Sequence, residues 1–404
     1  MKCRHCDKDL QFEFINLFNS PPSNSYLTKE QLNEPEVLYP LKLYVCEHCF
    51  LVQIDEYKKA DEIFDSQYAY FSSYSKSWLE HSRKYVEKMT NKLKLNAESF
   101  VIEIASNDGY LLQYFKEKNI PCLGIEPTAS TAKVAKDKGI EVLEEFFGAK
   151  LADYLKEADL ILGNNVLAHV PDINDFVKGL KIALKPTGTI TMEFPHLLNL
   201  IIYNQFDTIY HEHFSYLSLI TVQKIFNSQG LKIYNVEELP THGGSLRIYA
   251  GHNENNFLVI ENSVDEIINK EKAAKLDSIE GYHGFEKKVQ DIKWSFLEFL
   301  IKIKKEGKKI AAYGAAAKGN TFLNYCGVKS DVIDFVVDAS PHKQSKYLPL
   351  SHIPIVSEDI LKKEKPDYII ILPWNLKDEI MEQLSYIKEW GAGLITAIPE
   401  VRVL

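Results

Sequence analysis

The chain has 404 residues, 45% hydrophobic and 25% charged, enough for two to four ordinary domains at roughly 100–200 residues each. With 47 basic against 56 acidic residues the formal net charge is −9, a field that repels phosphate backbones and disfavours a general nucleic-acid clamp. No apolar run approaches the roughly 18 residues of a membrane span, and Met1-Lys2-Cys3-Arg4-His5-Cys6 has no apolar signal-peptide core. A soluble, cytoplasmic protein is expected, with neither a membrane nor nucleic acid as partner.

Four of the six cysteines fall into two pairs, Cys3-Arg4-His5-Cys6 and Cys46-Glu47-His48-Cys49, with 39 residues between them. Two thiolates separated by two residues can hold one tetrahedral ion, and a second such knuckle completes a four-sulfur shell. Disulfides are disfavoured in a reducing cytosol, so Cys3, Cys6, Cys46 and Cys49 read as ligands of a structural zinc. A closed shell leaves no position for a reacting water, so the metal holds a fold and does no chemistry. His5 and His48 are expected beside the shell or exposed, and Cys122 and Cys326 as small core residues. Pro21-Pro22-Ser23-Asn24 reads as loop. Little else between the knuckles is periodic, which suits a unit of roughly 60 residues stapled by metal.

Residues 73–95 read as a long amphipathic helix. A buried strand follows, Phe100-Val101-Ile102-Glu103-Ile104-Ala105, then the tight loop Ser106-Asn107-Asp108-Gly109 and a helix from Tyr110. Strand, loop and helix in this order open a doubly wound α/β domain. The next strand, Cys122-Leu123-Gly124-Ile125, ends at Glu126, about 20 residues past the loop, where a carboxylate can accept both ribose hydroxyls of an adenosine. Further strands are expected at 159–163 and 189–194. The loop lacks the GxGxxG glycines that let a pyrophosphate approach the backbone. It carries acids instead, which favours a nucleoside with an ammonium group and no phosphate, such as S-adenosylmethionine. The segment resembles that of the class I methyltransferases, whose E/D-x-G-x-G-x-G motif holds this cofactor, although Glu103 to Gly109 keeps just the last glycine. Glu103, Ser106, Asn107, Asp108, Gly109 and Glu126 are the expected cofactor residues.

Gly163-Asn164-Asn165-Val166-Leu167-Ala168-His169 follows the fourth strand, and open α/β sheets bind ligands at the carboxyl ends of their strands. Asn164, Asn165 and His169 should therefore face the cofactor crevice, with Asn164 and Asn165 as further cofactor residues. Phe206-Asp207-Thr208-Ile209-Tyr210-His211-Glu212-His213-Phe214 concentrates a Tyr, a Glu and two His that are costly to bury without a role. On a strand, His211 and His213 would share one face; in a loop all four could converge. A base, a second metal site and a structural ladder are the alternatives. An imidazole held by a carboxylate suits the base, because its pKa lies near working pH. Tyr68-Ala69-Tyr70-Phe71-Ser72-Ser73-Tyr74 either folds hydroxyls over the crevice or packs as a linker. Thr241-His242-Gly243-Gly244-Ser245-Leu246-Arg247 precedes a strand at 246–250, and its glycines allow close approach to a ligand or make a hairpin bend.

A second α/β unit is expected beyond: a helix over 281–305, a strand at 310–313, then Gly314-Ala315-Ala316-Ala317-Lys318-Gly319-Asn320-Thr321 opening a helix. This predicts an anion site at a helix N-terminus with Lys318 nearby. Lys-Gly reverses the order of a P-loop, so ATP hydrolysis is not supported. Strands at 332–337 and 368–372 lead to Asp338 and to Pro373-Trp374-Asn375.

Taken in order, the four-Cys unit, the Glu103–Gly109 loop, and Tyr210-His211-Glu212-His213-Phe214 followed by Thr241–Arg247 resemble one family over essentially the whole chain. It is the sugar C-3′-methyltransferase family of deoxysugar biosynthesis. The resemblance implies a zinc-binding domain (1–66), an S-adenosylmethionine domain (67–280) and a C-terminal Rossmann-like domain (281–404). It implies methylation at C-3 of a nucleotide-linked 4-keto-6-deoxyhexose. His213 would remove the C-3 proton, with Tyr210, Glu212, His169 and a tyrosine of the Tyr68–Tyr70 pair, here Tyr70, around it. A ketone at C-4 would spread the charge into an enolate, with Tyr210 and His169 as donors to its oxygen. The C-terminal unit reads as the cradle of the sugar nucleotide, with His242, Lys318 and Asn320 as contacts. A monomer or weak dimer is expected. The rival readings are an O- or N-methyltransferase of a small metabolite, an RNA-modifying module and a nicotinamide oxidoreductase.

Overall fold

Between the cysteine pairs, where the sequence shows no clear period, the chain folds as a sheet. The computed structural model describes residues 1–59 and 71–404. β1 (Phe12–Ser20), β2 (Tyr39–Val45) and β3 (Val52–Ile54) pair antiparallel. Along β2, Leu41, Leu43 and Val45 alternate inward, as on any half-buried strand. In β1 the register slips between Glu13 and Ile15 and again between Asn16 and Asn19; such bulges hide the alternation from a linear reading. The sheet is completed from far along the chain: Ser215 and Tyr216 pair with Gln53 and Val52.

The helix expected over 73–95 is α1 (Lys76–Leu93), capped by the Ser75 hydroxyl, which accepts from the Trp78 N–H at 3.2 Å. There follow β4 (Val101–Ile104), α2 (Leu112–Glu117), β5 (Cys122–Ile125), α3 (Ala129–Asp137), β6 (Glu141–Leu143), β7 (Ala158–Asn164), α4 (Ile173–Ala183) and β8 (Leu184–Pro195). After β9 (Ser215–Tyr216) come α5 (Leu219–Ser228), β10 (Leu231–Leu239) and β11 (Ser245–His252). The second sheet has the order β10-β11-β8-β7-β4-β5-β6. Its neighbours are parallel except β11, which runs antiparallel between β8 and β10. This is the class I methyltransferase arrangement, with β6 and β10 added to the strands foreseen. Chain order reverses beside β4, so the crevice at its carboxyl end is a topological switch point, where such sheets bind ligands.

α6 (Asn262–Ala273) and α7 (Phe285–Lys305) lead to β12 (Ile310–Tyr313), α8 (Ala317–Cys326), β13 (Val336–Val337), β14 (Ile355–Val356), β15 (Tyr368–Ile371), β16 (Gly393–Thr396) and β17 (Arg402–Val403). The third sheet, β14-β13-β12-β15-β16-β17, is parallel save at the β17 edge. The strand expected at 332–337 is confined to its last two residues, because Val332 and Ile333 still donate to the Lys329 carbonyl in a turn. One apolar core joins Phe14 and Leu41 of the first sheet, Phe206 and Phe214 of the middle segment, and Phe322 and Ile353 of the last. Among the described residues no helix is long and apolar enough to cross a membrane.

Glu271 of α6 serves three buried donors at once. It accepts from the Leu219 and Ile220 N–H groups at 2.6 and 2.8 Å, in the first turn of α5, and from His196 Nε2 at 2.7 Å. Glu271→Ala strands all three, and urea unfolding should register a loss of about 3 kcal/mol. A loss below about 0.5 kcal/mol, typical of a surface change, would contradict this account.

Candidate active site and metal centre

The two cysteine pairs close on each other. The Cys3 and Cys49 sulfurs lie 3.5 Å apart, those of Cys6 and Cys46 3.4 Å, and all four fall within 4.8 Å of one another. Sulfurs at the corners of a tetrahedron about zinc are about 3.8 Å apart, so this donor set fits the ion and holds a structural zinc. Each knuckle ends in a left-handed residue, Asp7 (φ 58°) and Phe50 (φ 66°), whose N–H groups donate to the Cys3 and Cys46 carbonyls. The Gln53 amide donates to Cys3 Sγ at 3.2 Å. His48 is exposed, and His5 bonds Asn174 at 2.8 Å.

A cavity of about 800 Å³ opens at the carboxyl ends of β4 and β7. The cofactor loop walls one half. Ala105 (φ 55°) and Asn107 (φ 50°) adopt left-handed backbone in this loop without being glycine. The Asn107 and Thr128 N–H groups donate to Glu126 at 2.9 and 3.0 Å, which fixes that carboxylate on the cavity wall. Of the expected cofactor residues, Asn107, Glu126, Asn164 and Asn165 line the cavity, whereas Glu103, Ser106, Asp108 and Gly109 do not. Asp108 turns back to accept from the Ser73 N–H and hydroxyl. Ser106 packs against Gly124, and a Cβ on Gly109 would meet Ile140 Cδ1 at 2.4 Å. These three shape the loop from behind. Glu103 is buried beside Tyr110, and burial pushes its carboxyl well above the usual range. Glu103 thus sits behind the wall, in hydrogen-bond contact with Tyr110. On the wall itself, Asn165 Oδ1 is buried without a hydrogen-bond partner among the described residues, and an acceptor there fits the ammonium group of S-adenosylmethionine.

The Tyr-His-Glu-His segment is a turn following a short 3-10 stretch, Phe206–Thr208, and its side chains diverge. Tyr210, Glu212 and His213 line the cavity together with His169 and His242. His211 points away, its Nε2 donating to the Pro40 carbonyl at 3.2 Å. His213 Nδ1 donates to the Thr208 carbonyl at 3.0 Å, which leaves the lone pair on Nε2. The expected carboxylate behind the imidazole is replaced by that main-chain carbonyl, and Glu212 is held by the Asn24 amide at 2.6 Å. The His213 ring lies 4.1 Å from the Tyr210 ring and 4.6 Å, edge-on, from that of His169. His169 Nδ1 in turn donates to the Glu212 carbonyl at 2.8 Å. Burial first, then neighbouring positive charge, keeps His213 well below the usual histidine range. Burial also raises Glu212 to about 7 and lowers His169 and His242 to about 4. Among the described residues the one cluster able to hold a metal is the four-cysteine group, so nothing favours a second metal here.

Lys318, in the first turn of α8, reaches the same cavity: Nζ donates to Asn375 Oδ1 at 2.9 Å and lies 4.8 Å over the Trp374 ring. Asn320 does not. It is fully buried and its amide donates to the Ser23 carbonyl at 2.6 Å, so it fastens the Pro21–Asn24 loop. His242 (φ 53°) accepts from the Asn165 amide at 2.9 Å. The glycines beside it admit protein: a Cβ on Gly243 would fall 2.4 Å from Trp374 Cη2, and one on Gly244 2.2 Å from Asn199 Nδ2. Arg247 anchors this loop by donating at 2.6 Å to Glu193, which also accepts from the Thr241 hydroxyl at 2.8 Å. Burial opposes that carboxylate, but His81 and Arg247 outweigh it and hold it at about 2. Tyr68 and Tyr70 lie outside the described residues; Phe71 and Tyr74 stack on His342. Asn24, in the loop after β1, lines the cavity, and Arg4 braces its wall from behind through the Pro171 carbonyl; neither has a signal in the linear sequence, since a loop asparagine and a knuckle arginine look like ordinary surface residues.

Cys46→Ser removes one corner of the sulfur tetrahedron. Elemental analysis should show zinc falling from one per chain to a small fraction, with a lower thermal midpoint. Full zinc retention would overturn the four-sulfur assignment.

Family models match three consecutive stretches: a zinc binding domain over residues 3–64, a methyltransferase domain over 78–236 and a C-methyltransferase C-terminal domain over 240–399. The C-methyltransferase NovU of Streptomyces niveus is 32% identical over 407 residues, spanning 100% of this chain and 96% of that protein. The ubiquinone biosynthesis O-methyltransferase of Histophilus somni (strain 2336) is 26% identical over 117 residues, 26% of this chain and 48% of its own. Among solved structures, magnesium protoporphyrin IX methyltransferase (ChlM) from Synechocystis PCC 6803 with bound SAH aligns over 43% of this chain and 82% of its own, at 14% identity and a TM-score of 0.36. The full-length match takes in the cysteine-rich and C-terminal units as well as the cofactor domain. The chain is an S-adenosylmethionine-dependent C-methyltransferase with a structural zinc, and it belongs to the sugar C-methyltransferase family that its motifs resemble.

Proposed function

We propose that the enzyme methylates C-3 of a nucleotide-linked 4-keto-6-deoxyhexose through an enolate, with His213 as the base. The observation that carries this reading is the His213 imidazole: neutral, fixed in one tautomer by Thr208, and lining a cavity whose other half is the cofactor loop. A ketone at C-4 lets the charge left at C-3 spread onto oxygen, which brings that proton within reach of an imidazole. Nε2 receives it. The enolate forming beside the ring is an anionic neighbour, which offsets burial and stabilises the imidazolium. Tyr210, packed on the ring, is the donor for the oxyanion; His169, expected to share that role, spends its N–H on the Glu212 carbonyl and as a neutral ring turns an acceptor nitrogen to the cleft. Bound S-adenosylmethionine supplies an electrophilic methyl group on its sulfonium. Glu126 takes the ribose, Asn107, Asn164 and Asn165 the remainder of the cofactor, and Lys318 and His242 the sugar nucleotide. The walled cleft keeps water from reprotonating the enolate. This substrate would place the enzyme in cytoplasmic deoxysugar biosynthesis.

A second reading makes Glu212 the base, favoured because its carboxyl lines the cavity and titrates at about 7, near the optimum for proton transfer. The two readings differ in pH dependence. A neutral His213 needs no deprotonation, so activity limited by it falls as pH drops well below 6.5. Activity limited by Glu212 falls already as pH drops through about 7.

The test incubates the enzyme with S-adenosylmethionine and a panel of 4-keto sugar nucleotides in deuterated water, following product mass and exchange at C-3. His213→Asn should lower exchange and methylation together by about 100-fold or more, the scale of general-base catalysis, whereas Glu212→Gln should retain exchange. Exchange that survives in His213→Asn and disappears in Glu212→Gln transfers the base role to Glu212. A methylated product that keeps its C-3 hydrogen, with the new methyl on oxygen or nitrogen, would falsify the enolate route.

A further inference from the structure

Arg4 stands between two zinc ligands, and its side chain runs inward from the knuckle to both sides of the cleft. Nη1 donates to the Pro171 carbonyl at 3.0 Å, two residues past His169 in the loop after β7. Nη2 donates to the Ile54 carbonyl at 2.8 Å, at the end of β3. Ile54 returns its N–H to the Phe214 carbonyl at 3.2 Å, and the guanidinium lies 4.9 Å over the Phe214 ring, next in sequence to His213. Nη1 is also 3.8 Å from Glu56 on the cavity wall, and the side chain is 10% exposed. At its backbone, Arg4 is pinned to the metal centre: its N–H donates to Gln53 Oε1 at 2.8 Å, and the same amide donates to Cys3 Sγ. A planar guanidinium can serve two carbonyls in fixed directions, which a lysine ammonium on a flexible stem does not reproduce.

We propose that Arg4 is a positioning residue that ties the His169 loop to the His213 turn, so that the zinc knuckle sets the spacing of the two rings facing the substrate. The proposal rests on the reading of those histidines as catalytic. Neither ring sits on a long helix or strand: His169 ends a three-residue 3-10 turn, and His213 lies in the turn before β9. Their edge-on contact therefore depends on what clamps the two loops. Arg4 bonds or packs on both, and the cysteine ligands do not need its guanidinium. The knuckle is in this way a part of the active-site frame as well as a staple for the first sheet.

Two variants test it in the zinc-loaded enzyme. Arg4→Met keeps the packing of the stem and removes the fork; Arg4→Lys keeps the charge and part of the hydrogen bonding. The measurements are zinc per chain, thermal midpoint, KM for both substrates, kcat and exchange at C-3. Arg4→Met should keep its zinc and both KM values within about threefold while kcat and exchange fall together by about 10- to 100-fold, as expected for a displaced catalytic group. Arg4→Lys should fall between Arg4→Met and the parent. A kcat within about twofold of the parent in zinc-replete Arg4→Met overturns the proposal, and so does a kcat loss that is restored when zinc is restored. If Arg4→Met does not fold, Arg4→Lys decides, and an unchanged kcat there overturns it. A parent enzyme whose methylated product keeps its C-3 hydrogen removes the enolate reading alone; kcat for methyl transfer still judges Arg4.

Discussion

The turn from Thr208 to Phe214 lies largely outside regular structure, yet it is buried, so each of its backbone polar groups needs a partner supplied from elsewhere. The Thr208 carbonyl accepts from His213 Nδ1, the Ile209 carbonyl from the Thr321 hydroxyl, the Tyr210 carbonyl from the His213 N–H, the Glu212 carbonyl from His169 and the Phe214 carbonyl from the Ile54 N–H. His213 serves two of these carbonyls from within the turn; the other partners come from the first sheet, the central domain and α8. The side chains follow the same rule: Glu212 is held by Asn24, and Asp207 accepts from the Trp374 indole at 2.6 Å. A segment satisfied by three separate parts of the chain has one conformation when all are in place.

The remaining architecture can be understood from that requirement. β9 leaves the turn directly into the zinc-stapled sheet, so the register of Gln53 with Ser215 sets where the histidines emerge. On the opposite wall, the Thr241–Arg247 loop is fixed by Glu193 and closed by two glycines, Gly243 against Trp374 and Gly244 against Asn199, where a Cβ would crowd the neighbour. The cofactor loop is steadied from the front by Glu126 and from behind by Ser72 and Ser73. In the proposed arrangement zinc acts on the chemistry without meeting a substrate. It makes a small sheet rigid enough to serve as one jaw of the cleft.

Electrostatics follows the same geometry. Taking several titratable groups out of water in one cavity lowers the histidines and raises the carboxyl groups. The cleft therefore favours neutral imidazoles, and burial raises the Glu212 carboxyl to about 7. Under the proposed reaction, a neutral base beside the Tyr210 hydroxyl is suited to generating an anion on a bound ketone, because the charge appears together with its stabilising partner.

Several parts of this protein were legible in the linear chain because the physics behind them is local. Cysteines two residues apart make a knuckle wherever they are placed, a strand, bend and helix in succession make a nucleoside site, and an acid at the end of β5 meets that bend through chain geometry alone. The Tyr-His-Glu-His segment was visible as a costly polar cluster, but which histidine faces the cleft was not, since His211 and His213 differ in through-space partners and not in spacing. The same limit placed Asn320 in the substrate site when it actually secures the Ser23 loop, put a carboxylate behind His213 where a carbonyl stands, and passed over Asn24 and Arg4. Composition and spacing determined the metal knuckle and the class of cofactor domain. Tertiary packing decided which side chains converge, because convergence depends on contacts between residues 43 to 188 positions apart, and no periodicity encodes those.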